Sequence, residues 1–370
     1  MFRHWLLPLM LLLGASPAMA EAPYDMMPVT QAVEDLAARH GLPGAAAYAS
    51  KAGQPVLRHY AGSYDAGTRL PLASASKWIS ALAIARVVDK GQLAWSDTVG
   101  EFFPSAPVAT HAISLAQLYS HTSGLPYEDD TCLSNQSYTL ATCATHILER
   151  PLIGTPGRVF AYGGNSMQVA GRMAEIATGK AWDDLFIDEM VLPLGLTATD
   201  WAGQSQQPGY VRRGNPRVAG GARSSLDDYA IVVDMVLARG WHGGIGFLTE
   251  TTLREMERDH AAGTMVIHAP PGAAPGWGYG IGQWIEKMYP GRVLSARPTV
   301  SSPGAYGFTP WVDLRTGVAG IVMVQGSNYT MRDDILAIEA LVAAQTATPP
   351  GDFPRKPGLP EHPPVTVNAR

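Results

Sequence analysis

The chain has 370 residues, 46% of them hydrophobic and 16% charged, enough to bury a large core and by length alone two domains' worth. Its formal net charge of −5 carries no basic excess, which argues against a nucleic-acid partner. There is no C-x-x-C, no H-E-x-x-H and no paired-histidine spacing, so no metal or other cofactor is implied.

Residues 1–20 read as a cleaved secretory signal. Arg3 and His4 precede an apolar run from Trp5 to Leu13, and Ala18-Met19-Ala20 stands before Glu21. The run is too short to span a bilayer, and no other stretch approaches that length. Cleavage after Ala20 predicts a periplasmic or secreted protein and, by removing Arg3, takes the charge from −5 to −6. Cys132 and Cys143 are the only cysteines. In an exported chain they predict a disulfide worth about 3 kcal/mol, with two free thiols as the alternative.

The next elements follow in chain order. Val29, Ala32, Val33, Leu36 and Ala37 predict an amphipathic helix over 28–40, closed by Gly41. Ala45–Ser50 and Pro55–Tyr60, joined by Lys51-Ala52-Gly53-Gln54, predict a hairpin. A segment almost without charge after Pro71 predicts a buried helix over 74–90, ending at Gly91. From 99 to 196 the pattern is helix and loop. Ser114–Ser120 is helical, Ser120–Pro126 is rich in turn residues, and Ser166–Thr178 is a helix closed by Gly179. A further helix over Ala181–Met190 stops before Leu192-Pro193-Leu194-Gly195.

Gly220-Gly221 opens a loop into a capping-box start, with helix through Tyr229–Arg239. Gly278–Met288 alternates as one strand, Pro310–Leu314 and Val318–Gln325 pair around Arg315-Thr316-Gly317, and Met331–Ala344 is a final helix. Residues 346–370 form a Pro-rich tail. Strands at both ends with helices between predict an α+β fold, an α/β sandwich. One antiparallel sheet is built from 21–98 and 215–345, with a mainly helical insertion over 99–214.

Chemistry concentrates at Ser74-Ala75-Ser76-Lys77. Residues three apart share a helix face, so hydroxyl and amine can meet. Trp78, Ile79 and Leu82 would desolvate Lys77 near the positive end of the helix dipole, and both effects favour the neutral amine. A neutral amine beside a hydroxyl makes an activated nucleophile. The plain alternative is a capping serine with a snorkelling lysine.

Other stretches decide between them. Leu118-Tyr119-Ser120-His121-Thr122-Ser123-Gly124-Leu125-Pro126, the Pro156-Gly157 turn, Val191–Leu196 and the Gly220-Gly221 loop follow Ser74 and Lys77 in order. Phe160-Ala161-Tyr162-Gly163-Gly164-Asn165 and Ser302-Pro303-Gly304-Ala305-Tyr306-Gly307 complete the set. From about Val29 to Val342 the chain resembles the serine β-lactamase and penicillin-recognising superfamily, in particular class C β-lactamase-like esterases and peptidases. The resemblance implies a β-lactamase/transpeptidase-like fold, Ser74 as nucleophile with Lys77, and Tyr162 in the Y-x-N motif. A phenolate-like Tyr162 oxygen would relay protons.

The third motif, expected on a strand, puts the Ala305 amide beside that of Ser74 as an oxyanion hole. Asn165, Ser302, Gly304 and Tyr306 would line the substrate. Two departures follow from the same match. Gly164 stands where the motif has an asparagine, so either the late Asn165 substitutes or nothing does. Ser302 stands where many relatives place a cation that would pair with a substrate carboxylate. The reading is an exported serine hydrolase acting on small esters, lactones or amides through an acyl-enzyme. The alternatives are a β-lactamase or D-amino-acid peptidase, and an acylated sensor domain without turnover. Oligomeric state is left open.

Overall fold

A computed structural model describes residues 24–129, 131–271, 273, 276–286 and 298–347. The expected signal segment and the tail beyond 347 lie outside the described residues.

Both chain ends build the central sheet, as expected. Its strands among the described residues are β1 (Gly44–Lys51), β2 (Gln54–Gly62), β3 (Gly278–Tyr279), β4 (Trp284–Glu286), β5 (Thr299–Ser301), β6 (Thr309–Asp313) and β7 (Val318–Met323). They run antiparallel in the order β2-β1-β7-β6-β5-β4-β3. The seam is β1 against β7, in the register Ala47 to Val322, so the fold closes only when its ends meet.

Successive strand residues point to opposite faces. Ala45, Ala47 and Ala49 therefore join one core with Val318 and Val322, while Ala46 and Tyr48 join the other with Ala319, Ile321 and Met323. The first core is covered by helix α1 (Met27–Arg39), which buries Val29, Val33, Leu36 and Ala37 along one stripe. The C-terminal helix α6 (Asn328–Gln345) shares that face through Met331, Ile335, Ile338 and Val342.

The core on the other face gathers α2 (Ser76–Asp89), α3 (Leu140–Leu148), α4 (Asn165–Thr178) and α5 (Leu226–Leu237): α5 packs directly on β1, β6 and β7, while α3 packs on α4 and α4 on α2. Helix α2 is buried all round from Ser76 to Ala85. A helix without a wet face is a core element, and α2 lies between the sheet side and the helical region.

Three expectations need correction. The Gly278–Met288 strand is a hairpin, because Gly282 turns the chain at φ +74°. A Cβ there would lie 2.8 Å from the Lys77 carbonyl oxygen and collide with the Ala81 side chain, so the turn packs directly on α2. Residues 287 and 288 lie outside the described residues. The Ala181–Met190 helix does not stop at Met190. It passes through a wide turn at Ile187–Val191 into Leu192–Leu194 and ends at left-handed Gly195. Pro193 is tolerated because it falls in the first turn of that last segment, where its missing N–H costs little. Finally, Val159–Ala161 pairs in parallel with Met265–His268, which ties the helical region to the later part of the chain.

Cys132 and Cys143 are joined in a disulfide and wholly buried, fastening the 132–139 loop to α3.

Candidate active site

Ser74 sits half-buried in a single 3-10 turn, Ala73–Ala75, that leads into α2. Ala73 is held at φ +46°, a conformation costing an alanine about 1–2 kcal/mol. Bonds from distant segments hold the turn. Leu72 N–H donates to the Ala222 carbonyl at 2.8 Å and Ala222 N–H to Ser76 Oγ at 3.0 Å. Tyr229 Oη donates to the Ala75 carbonyl at 2.8 Å.

Lys77 lies one helical turn on and is buried. Its Nζ donates to Ser74 Oγ at 3.1 Å and to the Ala219 carbonyl at 2.9 Å. Burial pushes its pKa down from 10.5 to about 7; Glu128 opposes that shift and Arg217 adds to it. Near neutral pH a large fraction of Lys77 is therefore a free base within reach of the Ser74 proton.

Tyr162 follows the short Val159–Ala161 strand. Its ring lies 4.6 Å from Lys77 Nζ, and the Ser74 hydroxyl is close enough to its phenol to act on its titration. The phenolate expectation is corrected here. Burial raises the Tyr162 pKa, the nearby Ser74 hydroxyl opposes that rise only in part, and the Glu128 charge adds to it. Tyr162 is thus a neutral phenol, able to give a proton rather than take one. Trp284 stacks on its ring at 5.4 Å.

Strand β5 ends at Ser301, and the third segment runs on beside β6 into the hairpin loop, Ser302 N–H donating to the Pro310 carbonyl at 3.2 Å and Gly304 N–H to the Phe308 carbonyl at 2.8 Å. The motif therefore lies in the hairpin loop, not on the strand as expected. Ser302 is buried, and its hydroxyl donates to the Ser74 carbonyl at 3.0 Å. Its hydroxyl thereby holds the Ser74 backbone. Gly304 is required by close approach, because a Cβ would collide with the Leu72 carbonyl. That contact sets Ala305 beside the Ser74 turn. Among the described residues no backbone carbonyl accepts from the Ala305 N–H. Tyr306 is exposed at the rim, its Oη accepting from Gln204 at 3.4 Å.

A family model described as Beta-lactamase matches residues 29–345. The chain belongs to the Beta-lactamase family. A provisionally named β-lactamase from Bacteroides dorei DSM 17855 is 31% identical, covering 85% of this chain and 99% of that one at a TM-score of 0.73. EstCE1, described as a hydrolase with promiscuous acyltransferase activity, shares the fold at a TM-score of 0.65 and 21% identity, covering 84% of this chain and 98% of its own. Penicillin-binding protein 4 of Amycolatopsis lactamdurans is 29% identical over 134 residues, 33% of each chain. The chain spans about a third of the length of the curated relatives it matches. The fold of these structures agrees with that family.

Within this Beta-lactamase-family site, Asn165 is fully buried; its Nδ2 donates to the Pro126 carbonyl at 2.8 Å, and its Oδ1 has no partner among the described residues. Sequence reasoning also missed three side chains. His121 is buried at φ +59° against the Tyr162 ring, at 4.6 Å. Desolvation and the Lys77 charge hold its pKa well below the usual value, so it is neutral. Glu128 and Arg217 form an ion pair whose charges both reach Lys77. The Ser120–Pro126 loop and the Gly220-Gly221 turn were visible as motifs, but their neighbours Glu128 and Arg217 carry no spacing signal.

Proposed function

We propose that this protein is an exported serine hydrolase that cleaves small esters through an acyl-enzyme on Ser74. The observation that carries the reading is the buried Lys77 amine, 3.1 Å from Ser74 Oγ and poised at about 7. Lys77 takes the Ser74 proton as Oγ attacks the ester carbonyl. The developing oxyanion is held by the Ser74 and Ala305 amides, each such donor being worth about 10²–10³-fold in turnover. Tyr162, a neutral phenol beside Ser74 and Lys77, protonates the departing alkoxide and is reprotonated from Lys77. Water then enters by the same path reversed, freeing the acid and Ser74.

Ester preference is supported by the substrate wall. No cation stands at 302, where Ser302 serves the Ser74 backbone, and Gly164 presents no amide. Export is supported by the Cys132–Cys143 disulfide, and no helix among the described residues is long and apolar enough to cross a membrane. A second reading, hydrolysis of β-lactams or D-amino-acid peptides, is favoured by Arg217 near the site, although its guanidinium is paired with Glu128.

A substrate panel tests the choice. A lost charge-assisted contact costs about 1.5–3 kcal/mol, or roughly ten- to a hundredfold. Two such contacts are missing, so p-nitrophenyl butyrate should turn over at least about a hundredfold faster than nitrocefin. Both activities should vanish in Ser74→Ala. Equal rates on the two substrates would overturn the ester reading.

A further inference from the structure

Gly164 leaves a space two residues after Tyr162, and another segment fills it. A Cβ on Gly164 would lie 2.9 Å from Leu133 Cδ1 and 3.5 and 3.6 Å from the two carboxylate oxygens of Glu128. The Gly164 N–H is shared between the Tyr127 carbonyl at 2.8 Å and Glu128 Oε2 at 3.1 Å. Glu128 Oε1 pairs with Arg217, whose other terminal nitrogen reaches Ser134 Oγ at 3.5 Å. Arg217 belongs to the turn that supplies the Ala219 carbonyl to Lys77. The Glu128 side chain is 32% exposed, so its carboxylate is fixed in place yet open to an incoming group.

We propose that Glu128, held on the Gly164 amide where the family pattern places an amide side chain, is a specificity-determining residue. It favours acyl groups that carry an N–H or ammonium donor and disfavours those that carry a carboxylate. The inference rests on the Ser74 hydrolase reading and adds the charge of its substrate.

The chemistry is direct. An amide offers both donor and acceptor, whereas a carboxylate offers only acceptors, about four lone-pair sites, two of them used here by Gly164 and Arg217. Replacing the amide by Glu128 removes the donor that a substrate carbonyl or carboxylate would use. It leaves acceptors that an N–H or ammonium can use. Nor is the pair neutral as seen from the nucleophile. The Glu128 charge reaches both Lys77 and Tyr162, and at Lys77 it outweighs that of Arg217.

The test uses p-nitrophenyl esters of β-alanine, propanoic acid and succinic acid, which present an ammonium, a neutral and a carboxylate acyl chain. In the wild type kcat/KM should favour the ammonium ester over the carboxylate ester by about tenfold, the low end for a bond to a charged group because the pair is partly exposed. Glu128→Gln should shrink that ratio to about twofold or less, and Glu128→Asp should restore part of it. Arg217→Gln should widen it. A misfolded variant changes all three rates together and leaves the wild-type ratio to decide. Equal rates on the charged pair, a preference for the succinate ester, or an unchanged ratio in Glu128→Gln would overturn the inference while the hydrolase reading stood. Failure of the neutral ester and of fluorophosphonate labelling at Ser74 would instead remove the hydrolase reading and the inference with it.

Discussion

Replacing Lys77 by methionine should stabilise the protein while abolishing its chemistry, and the gain should depend on pH in one direction. Lys77 is buried, with its pKa lowered from 10.5 to about 7. The groups facing it are the Ser74 hydroxyl, the Ala219 carbonyl, the Tyr162 ring, neutral His121 and the Glu128–Arg217 pair. Between those two values the unfolded chain holds more protons than the native one, so wild-type stability rises with pH across the window. The shift is 10.5 − 7 = 3.5 units, which at 1.36 kcal/mol per unit is a cost of about 5 kcal/mol below pH 7, falling to about 2 kcal/mol at pH 9. Methionine has similar length and no charge to desolvate. It strands the Ala219 carbonyl, but that loss is the same at every pH and cancels in the comparison. Urea denaturation of wild type and Lys77→Met at pH 6 and pH 9, disulfide intact, should show the variant's advantage shrinking by about 3 kcal/mol. The acid limb of wild-type kcat/KM should fall near pH 7, the same titration read by chemistry. A stability gap that stays constant from pH 6 to pH 9 would refute the poised amine, and with it the base assigned to Ser74.

Three further outcomes follow from other contacts. Tyr162→Phe should lower kcat by about 10²–10⁴-fold with little effect on folding, because it removes the proton donor and keeps the ring against Trp284; stopped-flow acylation would localise the loss. Gly304→Ala must push the loop off the Leu72 carbonyl, costing about 1–3 kcal/mol by thermal melting and at least tenfold in kcat as the Ala305 amide moves. Reducing the Cys132–Cys143 bridge reopens a loop of sequence separation 11 and should cost about 3 kcal/mol, while kcat changes far less; intact mass of exported protein, two hydrogens below the dithiol, checks that the bridge forms.

What could be read in advance was whatever local spacing carries. The stripe Val29, Val33, Leu36 marks α1, the uncharged run after Pro71 marks α2, and Ser74 with Lys77 needs only a helical turn to meet. Tyr162, Gly304 and Ala305 were legible through motif order. What was not legible has a common cause. Side-chain period does not report what a residue's polar atoms are bonded to, and that is decided by remote segments. Nothing in the spacing shows that the Ser302 hydroxyl meets the Ser74 carbonyl, or that Asn165 Nδ2 meets that of Pro126. Glu128 and Arg217 are a pair 89 positions apart, which no window contains. The Gly278–Met288 alternation was real, but Gly282 breaks it because α2 leaves no room for a straight strand.

The same remote bonds explain how a strained turn can carry Ser74, the proposed nucleophile. Residues 72 to 77 are held chiefly through backbone or hydroxyl groups by three segments far apart in sequence. Ala219 and Ala222 bind Lys77 Nζ and the Leu72 and Ser76 side of the turn. Tyr229 binds the Ala75 carbonyl, and Ser302 binds that of Ser74. Two of those segments are themselves anchored below. Arg223 forms a buried two-pronged ion pair with Asp200, with bonds of 2.8 Å from Nε and from one terminal nitrogen, and the Ser302 loop hangs from β5 and β6. A left-handed Ala73 persists only where its surroundings over-determine it. The bonds that meet this condition also hold the Ser74 turn, whose amide is the proposed oxyanion donor beside that of Ala305. Donors fixed before substrate arrives do not reorganise as charge develops, which is what makes them worth more than the same donors in water. The strain at Ala73 and the proposed oxyanion geometry therefore depend on the same bonds, from residues 219–222, Tyr229 and Ser302.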